Sequence, residues 1–510
     1  MSNKKKLVIL LLNLLLINIG FAAVETYSIS INVSIDNNLN KIVKSDGRFM
    51  LFLSTNPNRE PRTQIWPTAG NYIFAKNIKG LNAKEGLSIS SSSNLQSTVD
   101  WSLDNVPENT YYIQAVWDHD TEESRIDAPG NIYSEVQKVE ITRSQEIAIT
   151  LSELVQPRKV VDHKYVKEIS IRSELLSEFW DKDMFLKASL LLPSSYYDQP
   201  NKKFPVRYNV AGYGGRYTRV NGMISNKSFA DWWFSDDAPQ IINVFLDGEG
   251  PFGDSYQMDS ENSGPYGASL IEELIPYIES NYRGMGETKY RFVDGCSTGG
   301  WVSLALQLYY PDDFNGVWSY SPDAIEFENY QLINIYKDEN AYVNEAGIER
   351  PVMRNTKGEP MMLLRDFLQY ENVLGRSNTY VTSGGQFSAH NALYSPKGED
   401  GLPKPIFDPL TGDIDHVVAE TWKKYDMKIY AKENWAELGP KIQGKIYIWM
   451  GDMDHFYLNP ATRAFDEFIL ETENPTSDAQ IVFTPMAGHC QNFSHKKVLQ
   501  QMDEKLKKIE

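Results

Sequence analysis

Tyr27, Ile29, Ile31, Val33 and Ile35 are interleaved with Ser28, Ser30, Asn32 and Ser34. A period of two marks a half-buried strand. Similar runs follow at 49–53, 111–117, 133–141 and 147–151, separated by Asn, Gly, Pro and Ser clusters. Short strands with turn chemistry between them predict a β-sandwich domain over residues 24–155. No catalytic constellation is evident there. His119 lies between Asp118 and Asp120 and reads as a turn-borne surface cluster rather than a metal site.

From about residue 166 the pattern changes. Apolar runs at 186–192, 206–210, 241–246, 290–293, 317–320, 446–450 and 481–484 alternate with helical faces. One face carries Leu270, Leu274 and Ile278, and another Val302, Leu306 and Tyr309. Short apolar strands between helices predict a mostly parallel sheet covered on both sides, spanning 166–510. Within it, residues 324–442 are rich in Tyr, Asn, Gly and Pro, with a weak helical stretch at 361–370. A segment of that length reads as a functional insertion or lid.

Composition narrows the function. Lys and Arg number 50 against 68 Asp and Glu, giving a formal charge of −18. Such acidity argues against nucleic acid or an anionic membrane surface as partner. The N-terminus has Lys4, Lys5 and Lys6, then an apolar core and the small residues Gly20, Ala22 and Ala23. This predicts a signal peptide over 1–23 and a mature protein that is secreted or periplasmic. The alternative is a membrane anchor, which Asn13 and Asn18 weaken. In an oxidising compartment the chain's two cysteines can pair.

Gly295-Cys296-Ser297-Thr298-Gly299 fits G-x-S-x-G, with a strand before it and a helix after it. A nucleophilic serine has to project from such a sharp turn, where flanking glycines avoid Cβ clashes. Its partners are expected later in the chain, acid before histidine. Asp454 is the expected acid, with Asp452 as the alternative, and His489 the expected base. The oxyanion hole would use the N–H of Thr298 and that of Tyr213, or of Gly214 instead, from the run Ala211-Gly212-Tyr213-Gly214-Gly215. Cys296 precedes Ser297 and Cys490 follows His489, so a bridge between them would staple elbow to base loop. Two separate thiols are the alternative. His455 reads as a wall residue. Asp408, Asp413 and Asp415 lack the spacing of a calcium loop and read as a solvated turn.

At these residues the chain resembles two related groups. The Cys296-Ser297, Asp454 and His489-Cys490 arrangement is similar to the CS-D-HC pattern of tannases and fungal feruloyl esterases, whose cysteines are bridged. Phe204-Pro205-Val206, and the stretch from Glu273-Leu274-Ile275-Pro276 to Tyr282-Arg283, resemble the esterase D and enterochelin esterase-like family. The resemblance implies an α/β-hydrolase fold and carboxylic-ester hydrolysis through an acyl-enzyme, with no metal or organic cofactor. Feruloyl or acetyl esters of polysaccharides are the substrates it suggests. Trp301 stands where tannases carry an arginine, so tannase specificity is not implied. Competing readings are a serine peptidase and an inactive carbohydrate-binding protein on the same fold.

Overall fold

The computed structural model describes residues 25–67 and 70–509; the expected signal peptide lies outside them. The C-terminal part is built on an eight-stranded sheet. Its strands are β1 (Val166–Ser173), β2 (Met184–Leu191), β3 (Val206–Val210), β4 (Ile242–Leu246), β5 (Arg291–Cys296), β6 (Val317–Tyr320), β7 (Ile446–Gly451) and β8 (Gln480–Thr484). The order across the sheet is β1-β2-β4-β3-β5-β6-β7-β8. The first two pairings, β1 with β2 and β2 with β4, are antiparallel and all others are parallel. β3 and β4 are buried along their whole length, as expected of strands covered by helices on both faces. This is the α/β-hydrolase arrangement.

A buried ion pair ties two central strands together beneath the elbow. Arg207 on β3 grips Asp294 on β5 through two hydrogen bonds of 2.7 and 2.6 Å. Its remaining arm donates to Asn243 on β4. Buried charges hold only when so fully paired.

The N-terminal β-sandwich is hydrogen-bonded into one nine-stranded sheet, eight strands on a continuous path and Gln137–Ile141 branching off Asn109–Asp118. Ile29–Ile35 and Gln145–Leu154 share a core with Gly47–Ser54 and Asn109–Asp118. Strands Asn71–Ile78, Leu87–Ile89 and Gln96–Ser97 complete it, and they were not apparent in the sequence pattern. The run expected at 133–141 is two strands, Ile132–Ser134 and Gln137–Ile141. His119 departs from expectation. It is buried, accepting from Lys44 N–H at 3.2 Å and donating to the Gly130 carbonyl at 2.9 Å. Burial lowers its pKa, so it is a neutral core histidine.

The segment between β6 and β7 is more ordered than its composition suggested. A hairpin (Pro351–Arg354 with Pro360–Leu363) precedes helices Leu364–Leu374, Gln386–Tyr394, His416–Trp422 and Met427–Ile442. The helix expected at 361–370 thus begins three residues later. Leu363 still belongs to the hairpin, paired with Pro351. Asp415 accepts from the N–H groups of Val417 and Val418 as the cap of its helix. Asp408 closes a turn onto Leu410 and Thr411.

Candidate active site

β5 runs into the turn carrying Ser297, and helix Thr298–Tyr309 starts at the next residue. Ser297 has φ 63° and ψ −129°, a conformation that costs about 1–3 kcal/mol for a non-glycine residue. The glycines around it leave no alternative packing. A Cβ on Gly295 would lie 2.4 Å from the Gly299 carbonyl oxygen, and one on Gly299 would lie 2.4 Å from that of Val210. The turn is therefore wedged between the end of β3 and the new helix.

The other expected residues converge on the same end of the sheet. Asp454, in the loop after β7, is wholly buried, and its Oδ2 lies 2.6 Å from His489 Nδ1. Its Oδ1 accepts from Phe456 N–H at 2.9 Å. Asp452 faces elsewhere and pairs with Arg463. Arg354, on the insertion hairpin, donates to the carbonyls of Asp454 and Asp452 and so fixes the Asp454 loop from outside. Burial alone would lower the pKa of His489, but the charge and hydrogen bond of Asp454, with the charge of Asp323 behind them, raise it above the ordinary value.

Cys296 and Cys490 form a disulfide with 6.0 Å between Cα atoms. The same loop is tied to the end of β6 by Cys490 N–H donating to Ser321 Oγ at 3.1 Å. Positive φ falls on Met486 and Cys490, whereas a Cβ on Gly488 would lie 2.8 Å from the His455 ring. His455 thus packs behind the His489 loop.

Ser297 and His489 line one cavity of about 600 Å³. His489 Nε2 is buried with no hydrogen-bond partner among the described residues. No hydrogen bond joins it to Ser297 Oγ, a looseness common before substrate binds. The loop after β3 borders the same space with Gly212 and Tyr213. Gly214, at φ 74°, is closed in by Arg125 of the β-sandwich. Tyr213 is anchored by its hydroxyl, which donates to the Gly384 carbonyl at 2.6 Å.

Several groups in this cavity were missed in the sequence. Asp323, just past β6, accepts from Tyr256 (2.8 Å), Thr298 Oγ1 (2.9 Å) and Gln386 (3.0 Å) through one oxygen. Burial would raise its pKa, but His390, Tyr256 and Thr298 together lower it. The cavity lining is also aromatic, with Trp66, Phe367, Phe387 and Phe456. Phe456 also stands edge-on to His489 at 4.9 Å. For Phe367 and Phe387 the aromatic richness of the insertion was a hint; Trp66 and Phe456 had none.

The fold and this concave, partly polar cleft at the carboxyl ends of the strands define an enzyme of the α/β-hydrolase class. The family model described as "Putative esterase" matches residues 183–497, so the chain belongs to that family and is an esterase, a carboxylic-ester hydrolase. No curated protein matches it in sequence. Among solved structures, a ferulic acid esterase is similar at 16% identity, covering 67% of this chain and 97% of its own, with TM-score 0.42. An S-formylglutathione hydrolase from Agrobacterium tumefaciens is 14% identical, with coverages of 67% and 93% and TM-score 0.37. A ferulic acid esterase from Anaeromyces mucronatus in complex with ferulic acid is 13% identical, with coverages of 68% and 92% and TM-score 0.34.

Proposed function

We propose that the chain is an exported serine esterase working through an acyl-enzyme. Its leader over 1–23 would be removed, leaving a secreted or periplasmic enzyme of two domains, 24–155 and 166–510. Ser297 Oγ attacks the ester carbonyl as its proton passes to His489 Nε2. Asp454 holds Nδ1–H and stabilises the imidazolium. The N–H groups of Thr298 and Tyr213, or Gly214 in its place, take the oxyanion. Collapse of the tetrahedral intermediate breaks the C–O bond, and His489 returns the proton to the departing alcohol. Water then attacks the acyl-enzyme with His489 as base, releasing the acid and restoring Ser297. No step uses a metal or organic cofactor.

The observation carrying this reading is the 2.6 Å contact of His489 Nδ1 with buried Asp454, beside a strained Ser297 on the same cavity. Of the feruloyl and acetyl esters of polysaccharides, the cavity favours the feruloyl class. About 600 Å³ bounded by aromatic rings suits a planar arylpropenoyl group, and an acetyl group would leave most of it to water.

Hydrolysis of 4-nitrophenyl acetate and methyl ferulate by the wild type and Ser297→Ala tests the mechanism. The mutant is expected to lose activity at least about a thousandfold, and a fluorophosphonate should label the wild type at Ser297 alone. Equal rates in the two proteins, or labelling elsewhere, would remove Ser297 from the mechanism.

A further inference from the structure

The cavity wall includes one residue from outside the hydrolase fold. Trp66 belongs to the β-sandwich, between the short turn Pro61–Thr63 and strand Asn71–Ile78. Its indole meets three separate parts of the hydrolase. Phe367 of the insertion helix lies edge-on at 5.0 Å, Phe456 of the acid loop edge-on at 5.9 Å, and Tyr213 tilted at 6.4 Å. Despite these neighbours Trp66 is only half-buried, and it borders the cavity together with Ser297 and His489.

The position of Trp66 is held by a buried interface. Met50, Phe52, Ile73, Ala75 and Val116 of the sandwich share a core with Tyr370, Val373 and Leu374 of helix Leu364–Leu374. The Tyr370 hydroxyl donates to the carbonyl of Gln64, two residues before Trp66, at 2.7 Å, and accepts from Asn71 at 3.1 Å. Both ends of the loop are thus gripped by one tyrosine. Arg48 reinforces the contact by donating twice to the Val373 carbonyl, at 3.0 and 2.7 Å.

We propose that the β-sandwich completes the substrate site, and that Trp66 is the specificity-determining contact for a planar aromatic acyl group held between it and the insertion. An offset or edge-on aromatic pair is favourable beyond simple burial, and the rings already lining this wall set up that geometry. The proposal deepens the esterase reading, since it names the residue that receives the acyl group which Ser297 would release. It assigns the sandwich a part in the ester site in place of a separate carbohydrate-binding role.

The test uses the full-length chain with Trp66→Ala and Trp66→Phe. For methyl cinnamate, kcat/KM should fall at least tenfold in Trp66→Ala, mainly through KM, and return to within threefold in Trp66→Phe. For 4-nitrophenyl acetate the loss in Trp66→Ala should be at least threefold smaller than for methyl cinnamate. Equal losses on both esters, or none on the cinnamate, overturn the proposal. Binding is measured separately by calorimetric titration of methyl cinnamate into Ser297→Ala, with and without Trp66→Ala. A Kd at least tenfold weaker without the indole supports the contact even if turnover does not depend on Ser297, whereas an unchanged Kd, or no binding in either protein, overturns it. Unaltered thermal melting of Trp66→Phe shows that the effect belongs to the ring and not to the fold.

Discussion

Replacing the two acidic residues after β7 one at a time separates them by their surroundings. Asp454 is wholly buried and touches the imidazole, while Asp452 is 30% exposed and paired to Arg463. Asp454→Asn keeps an oxygen for the N–H of Phe456 but presents an amide where Nδ1–H needs a carboxylate. The imidazole then favours the wrong tautomer, and its charged form loses its stabiliser. The expected fall in kcat is about four orders of magnitude, ~5.4 kcal/mol at ~1.36 kcal/mol per tenfold. Asp452→Asn breaks an exposed pair worth about 0–1 kcal/mol of stability and should leave kcat within threefold. The pH profile adds a reading that simple misfolding would not produce. Asp454 is what raises His489 against the lowering effect of burial, so the acid limb of residual kcat/KM should move to lower pH in Asp454→Asn. The assay is steady-state hydrolysis of 4-nitrophenyl acetate from pH 4 to 9, with thermal melts alongside. A large loss in Asp452→Asn, or less than tenfold in Asp454→Asn with an unmoved limb, would refute the assignment of the acid.

Other expectations follow from the same contacts. Replacing Cys296 and Cys490 together by alanine opens a link across 194 residues; urea unfolding should show a loss of up to about 5 kcal/mol, with kcat falling as elbow and base loop separate. Asp323→Asn removes a charge that favours the His489 imidazolium and loosens Thr298, so the acid limb should shift down and kcat drop roughly ten- to hundredfold at little cost in KM. Glu371 is pushed up to about 7 by burial. A carboxyl raised on folding gives stability that is full below its unfolded pKa and lost as pH rises to the folded one, here about 3 kcal/mol between roughly pH 4.5 and 7. Melting of wild type between pH 5 and 8 should therefore fall more steeply than that of Glu371→Gln.

The parts legible in the sequence are those whose cause is local. The G-x-S-x-G turn carries its own reason in Gly295 and Gly299, because neighbours within a few residues exclude a Cβ. The loops of Asp454 and His489 are visible as the segments after two apolar strands, and the cysteines beside Ser297 and His489 point to a link between elbow and His489 loop. The alternative between Asp454 and Asp452 stayed open because both follow the same strand. Only the packing of Arg354 and Phe456 around that loop turns one inward. Asp323 and Gln386 carried no signal, since their meaning arises where the insertion folds back over the elbow.

The β-sandwich shows where such a reading stops and why. Strand Gly47–Ser54 is buried over seven of its eight positions, with Phe49, Leu51 and Leu53 in the domain's own core and Met50 and Phe52 in the contact with helix Leu364–Leu374. A sandwich standing alone would expose its outer face and alternate apolar with polar residues. The unbroken run Phe49-Met50-Leu51-Phe52-Leu53 thus encodes a covered outer face, but nothing in it says what covers that face. The answer lies about 320 residues away in Tyr370, Val373 and Leu374, in a stretch whose helical pattern was weak. Docking of the two faces is also what carries Trp66 to the cavity. The least legible contact in the sequence is therefore the one on which the choice of acyl group is proposed to depend.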